Sequence, residues 1–291
     1  MNQPGILSSV PRLARYLTFS LIPGADPMKS LEHLATMVDD DKMVVGLGES
    51  LLVSMGVDIP GMRCYPQMAG SGIDLPSTPC SLWVWLRGDD RGELVHRTRA
   101  ISQFIAAAFL LEEVIDSFQY GESMDLTGYI DGTENPEGDA ALEAAFVSNE
   151  GSGMNGGSFV AVQQWVHDLD SFGDLELWER DSVIGRRIRD NVEIEDAPES
   201  AHVKRTAQEN FDPEAFILRR SMPWADAACE GLVFVAFGKS FDAFEALLRR
   251  MVGLDDGIRD ALLSYSRPVT GSYFWCPPVR AGQLDLECLR G

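Results

Sequence analysis

The order in which two hydrophobic periods alternate along residues 1–120 limits this chain more than any other feature. From Arg15 to Ile22 apolar residues recur at every second position, with Leu17, Phe19 and Leu21 on one face, the period of a half-buried strand. Gly24 ends that run, and Asp26-Pro27 predicts a helix start, Asp26 as the cap and Pro27 at the first helical position. Leu31, Leu34 and Val38 form its inner stripe. A second strand is predicted over Met43–Leu47, a short helical or irregular piece over Ser50–Met55, and a loop-rich stretch from Gly56 to Pro79. Leu82–Leu86 reads as a third strand with Trp83 and Trp85 on one face. A helix follows from Leu94 to Ala108, with Leu94, Ile101, Phe104, Ile105 and Ala108 facing inward, and Leu110–Tyr120 is a fourth strand. The order β-α-β-β-α-β is the ferredoxin-like layout.

The second half follows the same plan without repeating the sequence. A helical stretch, Ala140–Val147, leads into a glycine-rich connection, Gly151 to Gly157, where the domain boundary is placed. Strands are predicted at Phe159–Val166, Phe216–Met222, Leu232–Phe237 and Thr270–Cys276. Between them lie a helical region, Asp168–Gly185, with Leu169, Leu175 and Trp178 as apolar positions, and a helix marked by Phe241, Phe244, Leu247, Leu248 and Met251. The pattern predicts an α+β chain of two ferredoxin-like domains, residues 1–150 and 151–291, each with an antiparallel sheet and helices. The stretch from Asp190 to Asn210 is long for a structureless loop, and such loops tend to be functional or disordered.

Charge narrows the partners. Among 291 residues, 24 Lys and Arg stand against 45 Asp and Glu, a net charge of -21, which opposes nucleic acid and anionic membranes. Apolar residues make up 45%, enough for a sizeable core. No window approaches the ~20 apolar residues of a membrane span, and the start lacks the basic and apolar runs of a secretion signal. Five cysteines, an odd number with no pair at metal-ligand spacing, predict reduced thiols and a cytoplasmic protein.

The chemistry concentrates in Gly128-Tyr129-Ile130-Asp131-Gly132-Thr133-Glu134-Asn135-Pro136. Glycine tolerates backbone angles closed to other residues, and Asn-Pro is a turn signal, so the segment presents Asp131 from a tight loop. Taken alone it reads as an ordinary Asp-Gly turn. Of four histidines, His33 and His96 sit on the outer parts of helices, and His167 ends a strand as a cap or packing residue. His202 lies in the long loop, and a lone histidine there is ordinarily bland.

The nine-residue string resembles the signature of the dye-decolourising peroxidases, haem enzymes unrelated in fold to the plant and animal peroxidases. The resemblance extends from Gln3 to Ser272 and is nearest to the compact bacterial B-type members. The family's axial histidine occurs in a string similar to His202-Val203-Lys204-Arg205, which implies His202 as the iron ligand and haem in the C-terminal domain. Arg219 matches the arginine on the side that peroxide reaches, and Ser221 the polar residue two places on, which on a strand points to the same face and into the same pocket. Val183-Ile184-Gly185-Arg186-Arg187 resembles a segment whose arginine lies near the propionates, which implies Arg186. Asn135 is expected near a propionate or the channel, with Gly132 beside it in the cofactor-facing loop. Relatives bond the axial histidine to an acidic residue; Asp260 and Ser264 both stand in the matching region, and the choice stays open.

The resemblance implies non-covalent haem b, since there is no Cys-x-x-Cys-His, and reduction of hydrogen peroxide through a ferryl intermediate. Dyes or small aromatic donors would be oxidised in one-electron steps, with Asp131 as proton shuttle and Arg219 as fixed charge. It also implies a homo-oligomer, a dimer or larger. A haem-storing or iron-releasing protein on the same fold is the alternative; it would need His202 but neither Asp131 nor Arg219.

Overall fold

The computed structural model describes residues 1–38, 40–68, 72–151 and 153–290. The strands of its main sheet are β1 (Leu13–Leu21), β2 (Met43–Gly48), β3 (Leu82–Gly88), β4 (Phe109–Phe118), β5 (Ser158–His167), β6 (Leu218–Arg219), β7 (Met222–Ala225), β8 (Glu230–Gly238), β9 (Ser266–Pro268) and β10 (Ser272–Cys276). The helices that position the site are α1 (Arg91–Ile105), α2 (Leu177–Ile184), α3 (His202–Arg205) and α4 (Asp242–Met251).

Strand pairing makes this a mixed α/β structure with a barrel-like sheet. The first half contributes β4-β1-β3-β2 and the second β10-β5-β8-β7, all antiparallel. Two short seams join them: Phe274↔Gly48 and Trp275↔Leu47 between β10 and β2, and Ser117↔Trp224 between β4 and β7. Because β5 also pairs with β8 from Phe159 to Val166, the ring closes. Strand β6 adds to β8 and β9 to β5 at the margins.

Closure explains a departure from the expected half-buried strand. On β1, Leu17 and Phe19 pack outward under the helices, while Ala14 and Tyr16 are equally buried in the barrel interior. There Tyr16 stacks on Trp83 and Trp85, with ring centroids 6.2 and 6.1 Å apart. Trp83 reaches Phe274 of the other half at 5.9 Å, and Trp85 reaches Phe237 at 6.3 Å. Aromatic stacking of this kind adds to the burial of large apolar area.

Other expectations shift for local reasons. The buried stripe of α1 is Leu94, Thr98, Ile101 and Ile105; Phe104 falls one residue off it and is 58% exposed. Trp178 is 67% exposed, since α2 buries only Ile184. The expected strand Phe216–Met222 is broken between Arg219 and Met222. The long stretch before it is not structureless: it holds α3 and a 3-10 turn, Gln208–Asn210. Ser152, in the glycine-rich connection, and residues 69–71, in the loop-rich stretch, lie outside the described residues. The rest of that connection is packed rather than loose: Val147 and Gly157 exchange a bond of 2.9 Å, and a Cβ on Gly157 would lie 2.1 Å from Trp275.

The β2–β10 seam is extended by a side chain. Buried Gln3 donates to Val45 O and Pro277 O, each at 2.9 Å, and accepts from Val45 N at 2.8 Å. Its amide therefore serves as a peptide unit for β2. Gln3→Ala strands both groups of Val45 in a dry interior, at a cost of about 1–3 kcal/mol per group. Equilibrium urea denaturation is expected to show about 2–4 kcal/mol of lost stability for that variant, and a loss under about 1 kcal/mol would contradict the seam's dependence on it.

Candidate active site

The loop between β4 and the second half is folded by its own polar groups. Asp125 Oδ1 accepts from Thr127 N (2.8 Å) and Thr127 Oγ1 (2.6 Å), closing an Asx turn. Gly128, at φ +89°, turns the chain, and Asp131 N then donates back to Ser123 O at 2.9 Å. Gly132 follows at φ +79°, where a Cβ would come 2.8 Å from Asn135 Nδ2. Asn135 is fastened to β6 by two bonds: Arg219 N donates to Oδ1 (2.8 Å), and Nδ2 donates to Arg219 O (3.1 Å). One amide thus fixes the position of Asp131 relative to Arg219. Tyr129 Oη donates to Asp181 Oδ1 of α2 at 2.6 Å, and burial, followed by that carboxylate, pushes its phenol up.

His202 is the first residue of α3. Arg205 anchors that short helix, making two bonds to Asp256 (2.7 and 2.8 Å) and one to Arg250 O (2.7 Å). Gly185 at the end of α2 allows the close approach, since a Cβ there would meet Val203 at 2.3 Å. His202 Nδ1 donates to Asp260 Oδ2 at 2.7 Å, and Asp260 Oδ1 accepts from Leu262 N at 2.9 Å. The open choice of partner therefore falls to the aspartate; Ser264 Oγ is turned away, donating to Ala261 O at 2.7 Å. With Nδ1 engaged, Nε2 is the nitrogen left available to the cavity.

That cavity, about 130 Å³, has walls of Leu232, Phe234, Phe244, Leu248 and Met251. It leads into a polar mouth of about 410 Å³, and Asp131, His202, Thr206 and Arg219 border both. Asp131 and Arg219 also border an outer groove of about 760 Å³, together with Tyr120, Asn135 and Arg220. An acid and a cation thus stand where three spaces meet. Arg219 Nε is buried with no acceptor among the described residues, so a donor stands unsatisfied beside the cavity.

Of the residues singled out in the sequence, Asp131, His202 and Arg219 come together on one cavity. Arg186 lies at the polar mouth, donating to Asn191 O (3.0 Å) and Glu193 (3.3 Å) and paired with Glu134. Gly132 and Asn135 shape the loop instead of lining the inner cavity. Ser221 borders only the outer groove, where its Oγ accepts from Val235 N at 3.4 Å. The break between β6 and β7 ends the alternation that would have aimed it with Arg219 into the inner cavity. Arg220 takes the opposite side, donating to the carbonyls of Ile6, Leu7, Ser8 and Arg219; burial and nearby Arg87 lower its guanidinium to about 10.

Sequence reasoning missed one part of the cavity wall. His167 was expected to cap or pack, but its Nε2 donates to Asp125 Oδ2 at 3.1 Å and its Nδ1 meets Ser266 Oγ at 2.6 Å. No motif or spacing in the chain marks this pairing. Burial pushes the Asp125 carboxyl up, but His167 and Thr127 outweigh it and hold the group below its ordinary range. Burial, helped by Asp125 and Asp260, pushes the neighbouring Tyr265 phenol well up.

A closed barrel of two antiparallel four-stranded units, with an apolar cavity facing a carboxylate-bonded imidazole, has counterparts among known proteins. Residues 122–281 match the family model described as Dyp-type peroxidase, C-terminal, and the chain belongs to that family. A dye-decolorizing peroxidase of Mycolicibacterium paratuberculosis is 29% identical over 253 residues, 78% of this chain and 72% of that one. A solved putative dyp-type peroxidase from Shewanella oneidensis superposes with a TM-score of 0.87 at 29% identity, covering 99% of this chain and 97% of the other. A variant of DypB from Rhodococcus jostii RHA1, solved in complex with heme, gives a TM-score of 0.85 at 26% identity over 94% and 95% of the two chains.

The Asp125 pairing has a pH signature. A carboxyl whose folded value is depressed stabilises the fold fully above its unfolded value, about 3.9, and that contribution is lost as pH falls through the lower folded value. Urea unfolding of the parent measured downward from about pH 5 should therefore lose stability more steeply than that of Asp125→Asn. Parallel curves would show that the pair carries no net coupling.

Proposed function

We propose that this chain is a haem-dependent peroxidase that reduces hydrogen peroxide and oxidises dyes or small aromatic donors in one-electron steps. The observation that carries the reading is the convergence of His202, Asp131 and Arg219 on one apolar cavity. The residues suit a haem. The apolar inner cavity and the polar mouth that adjoins it would share the ring and its carboxylates, Nε2 of His202 is the free nitrogen, and Arg219 Nε is a buried donor with no acceptor among the described residues. A storage or iron-releasing protein would need the histidine alone, so the acid and arginine beside it favour catalysis.

In this reading His202 would hold the iron, and Arg186, at the polar mouth, would pair with the haem carboxylates. The cofactor is haem b, held without covalent attachment. Bound there, it supplies the redox chemistry. Asp260 accepts a hydrogen bond from Nδ1–H, which fixes the imidazole's tautomer and orientation and raises its electron-donating power. Arg219 keeps a permanent positive charge against anionic oxygen at the peroxide position. Asp131 takes a proton from peroxide and returns it to the leaving oxygen. Asn135 and Gly132 hold that acid in place, and Ser221 belongs to the groove along which peroxide arrives.

The chain is read as two ferredoxin-like units, residues 1–150 and 151–291, a division that the matching strand orders of the two halves support, with haem placed in the second by His202. Five free cysteines fit a cytoplasmic protein, and the exposed apolar side chains Leu110 and Val114 on β4 fit a homo-oligomer.

His202→Ala is expected to abolish iron coordination, read as loss of the haem absorbance band on reconstitution. Arg219→Leu should keep the haem and slow the peroxide step by about 10²–10³-fold at every pH. Asp131→Asn should also reshape the pH dependence, followed by stopped flow. Full haem binding and an unaltered spectrum in His202→Ala would overturn the assignment.

A further inference from the structure

Two polar side chains of the inner cavity have no part in the reaction as proposed. His167 ends β5 and is 7% exposed, with both ring nitrogens engaged, Nε2 by Asp125 (3.1 Å) and Nδ1 by Ser266 (2.6 Å). Such an imidazole is no ligand for iron; it is a bridge. Asp125 is the other end. One of its oxygens takes His167, and the other takes both donors of Thr127. Around it the main chain closes on itself: Asp125 N donates to Tyr129 O (2.8 Å), Gly128 N to Asp125 O (2.8 Å), and Asp131 N to Ser123 O (2.9 Å). Asp125 is thus the side-chain centre of the turn whose last residue is Asp131, and His167 ties that centre to the second half of the barrel.

We infer that the Asp125–His167 contact is a positioning device that sets where Asp131 stands relative to Arg219, an inference that rests on the peroxidase reading for its functional consequence. Asn135 holds the far side of the loop to β6. The Asp125–His167 bond holds the near side to β5. Asp131 lies between the two and is placed by both. Displacing a proton-transfer group by about 1 Å costs on the order of 10²-fold in rate, so the contact is felt without touching substrate.

Residue 167 allows the two nitrogens to be tested apart. A glutamine amide reaches about as far as Nε2, whereas an asparagine amide reaches only as far as Nδ1. His167→Gln should keep a donor for Asp125, and His167→Asn should lose it while keeping Ser266. Hydrogen exchange on the purified full chain is the first readout. In His167→Asn the amides of Asp125, Gly128 and Asp131 should exchange at least about tenfold faster than in the parent, with Leu17 and Val84 of the barrel unchanged. In His167→Gln all of them should stay within about threefold. The second readout is kcat/KM for peroxide in the haem-loaded protein, expected to fall about tenfold or more in His167→Asn and to be rescued by His167→Gln, with the haem spectrum the same in all three. Unchanged exchange in His167→Asn would overturn the inference. So would equal damage in both variants, or faster exchange throughout the barrel, since either makes the contact a general prop. If the peroxidase reading itself fails, there is no activity to compare, and the exchange contrast between the two variants still decides whether the pair holds the loop.

Discussion

Everything in this molecule hangs on the closure of two sheets around a shared aromatic core. Neither four-stranded unit buries both of its faces alone. Helices cover one face of each, and the other faces meet over Tyr16, Trp83, Trp85, Phe237 and Phe274. Large flat rings suit this place because they fill the interior of a ring of strands with few side chains and remain rigid once stacked. The β5–β8 register, from Phe159↔Gly238 to Val166↔Gly231, then fixes where β6 and His167 sit.

The site depends on that closure because it is assembled from both halves. Asp131 comes from the loop after β4, Arg219 from β6, and His202 and Asp260 from segments flanking α4. Bonds between residues far apart in sequence hold these groups, Asn135–Arg219 across the two halves and His202–Asp260 within the second. The exchange between Asn135 and Arg219 is the most economical, since one side chain satisfies a strand's free peptide edge and sets the spacing of acid and cation. The His202–Asp260 pair does the same on the opposite wall, with the carboxylate held by a turn amide before it meets the ring.

Local periodicity made much of the fold legible. Leu17 and Phe19 on β1, and Trp83 and Trp85 on β3, advertise their strands because side-chain alternation needs no distant information. Closure left no such trace: the second buried face of β1, carried by Tyr16, is buried only by strands far along the chain. Phe104 and Trp178 were misread because apolar character marks a residue as able to be buried, and helix rotation decides whether it is. In the site, Asp131 and Arg219 were found through a motif, and His202 through the string around it. Asp260 could be offered but not chosen over Ser264, since the choice rests on geometry across 58 residues. His167 and Asp125 were out of reach for the same reason: two ordinary polar residues 42 apart carry no spacing that betrays their bond.

The two seams of the barrel are unequal, and that has a mechanical side. Between β4 and β7 a single registered pair, Ser117↔Trp224, carries the join, and the outer groove beside Gln119, Tyr120 and Pro223 runs along it. Free energies of local opening fall where few backbone bonds must break. The β4–β7 join is therefore the place where local opening costs least in strand pairing, and it borders the groove that reaches Asp131 and Arg219, whereas β5 and β8 are held by a continuous register.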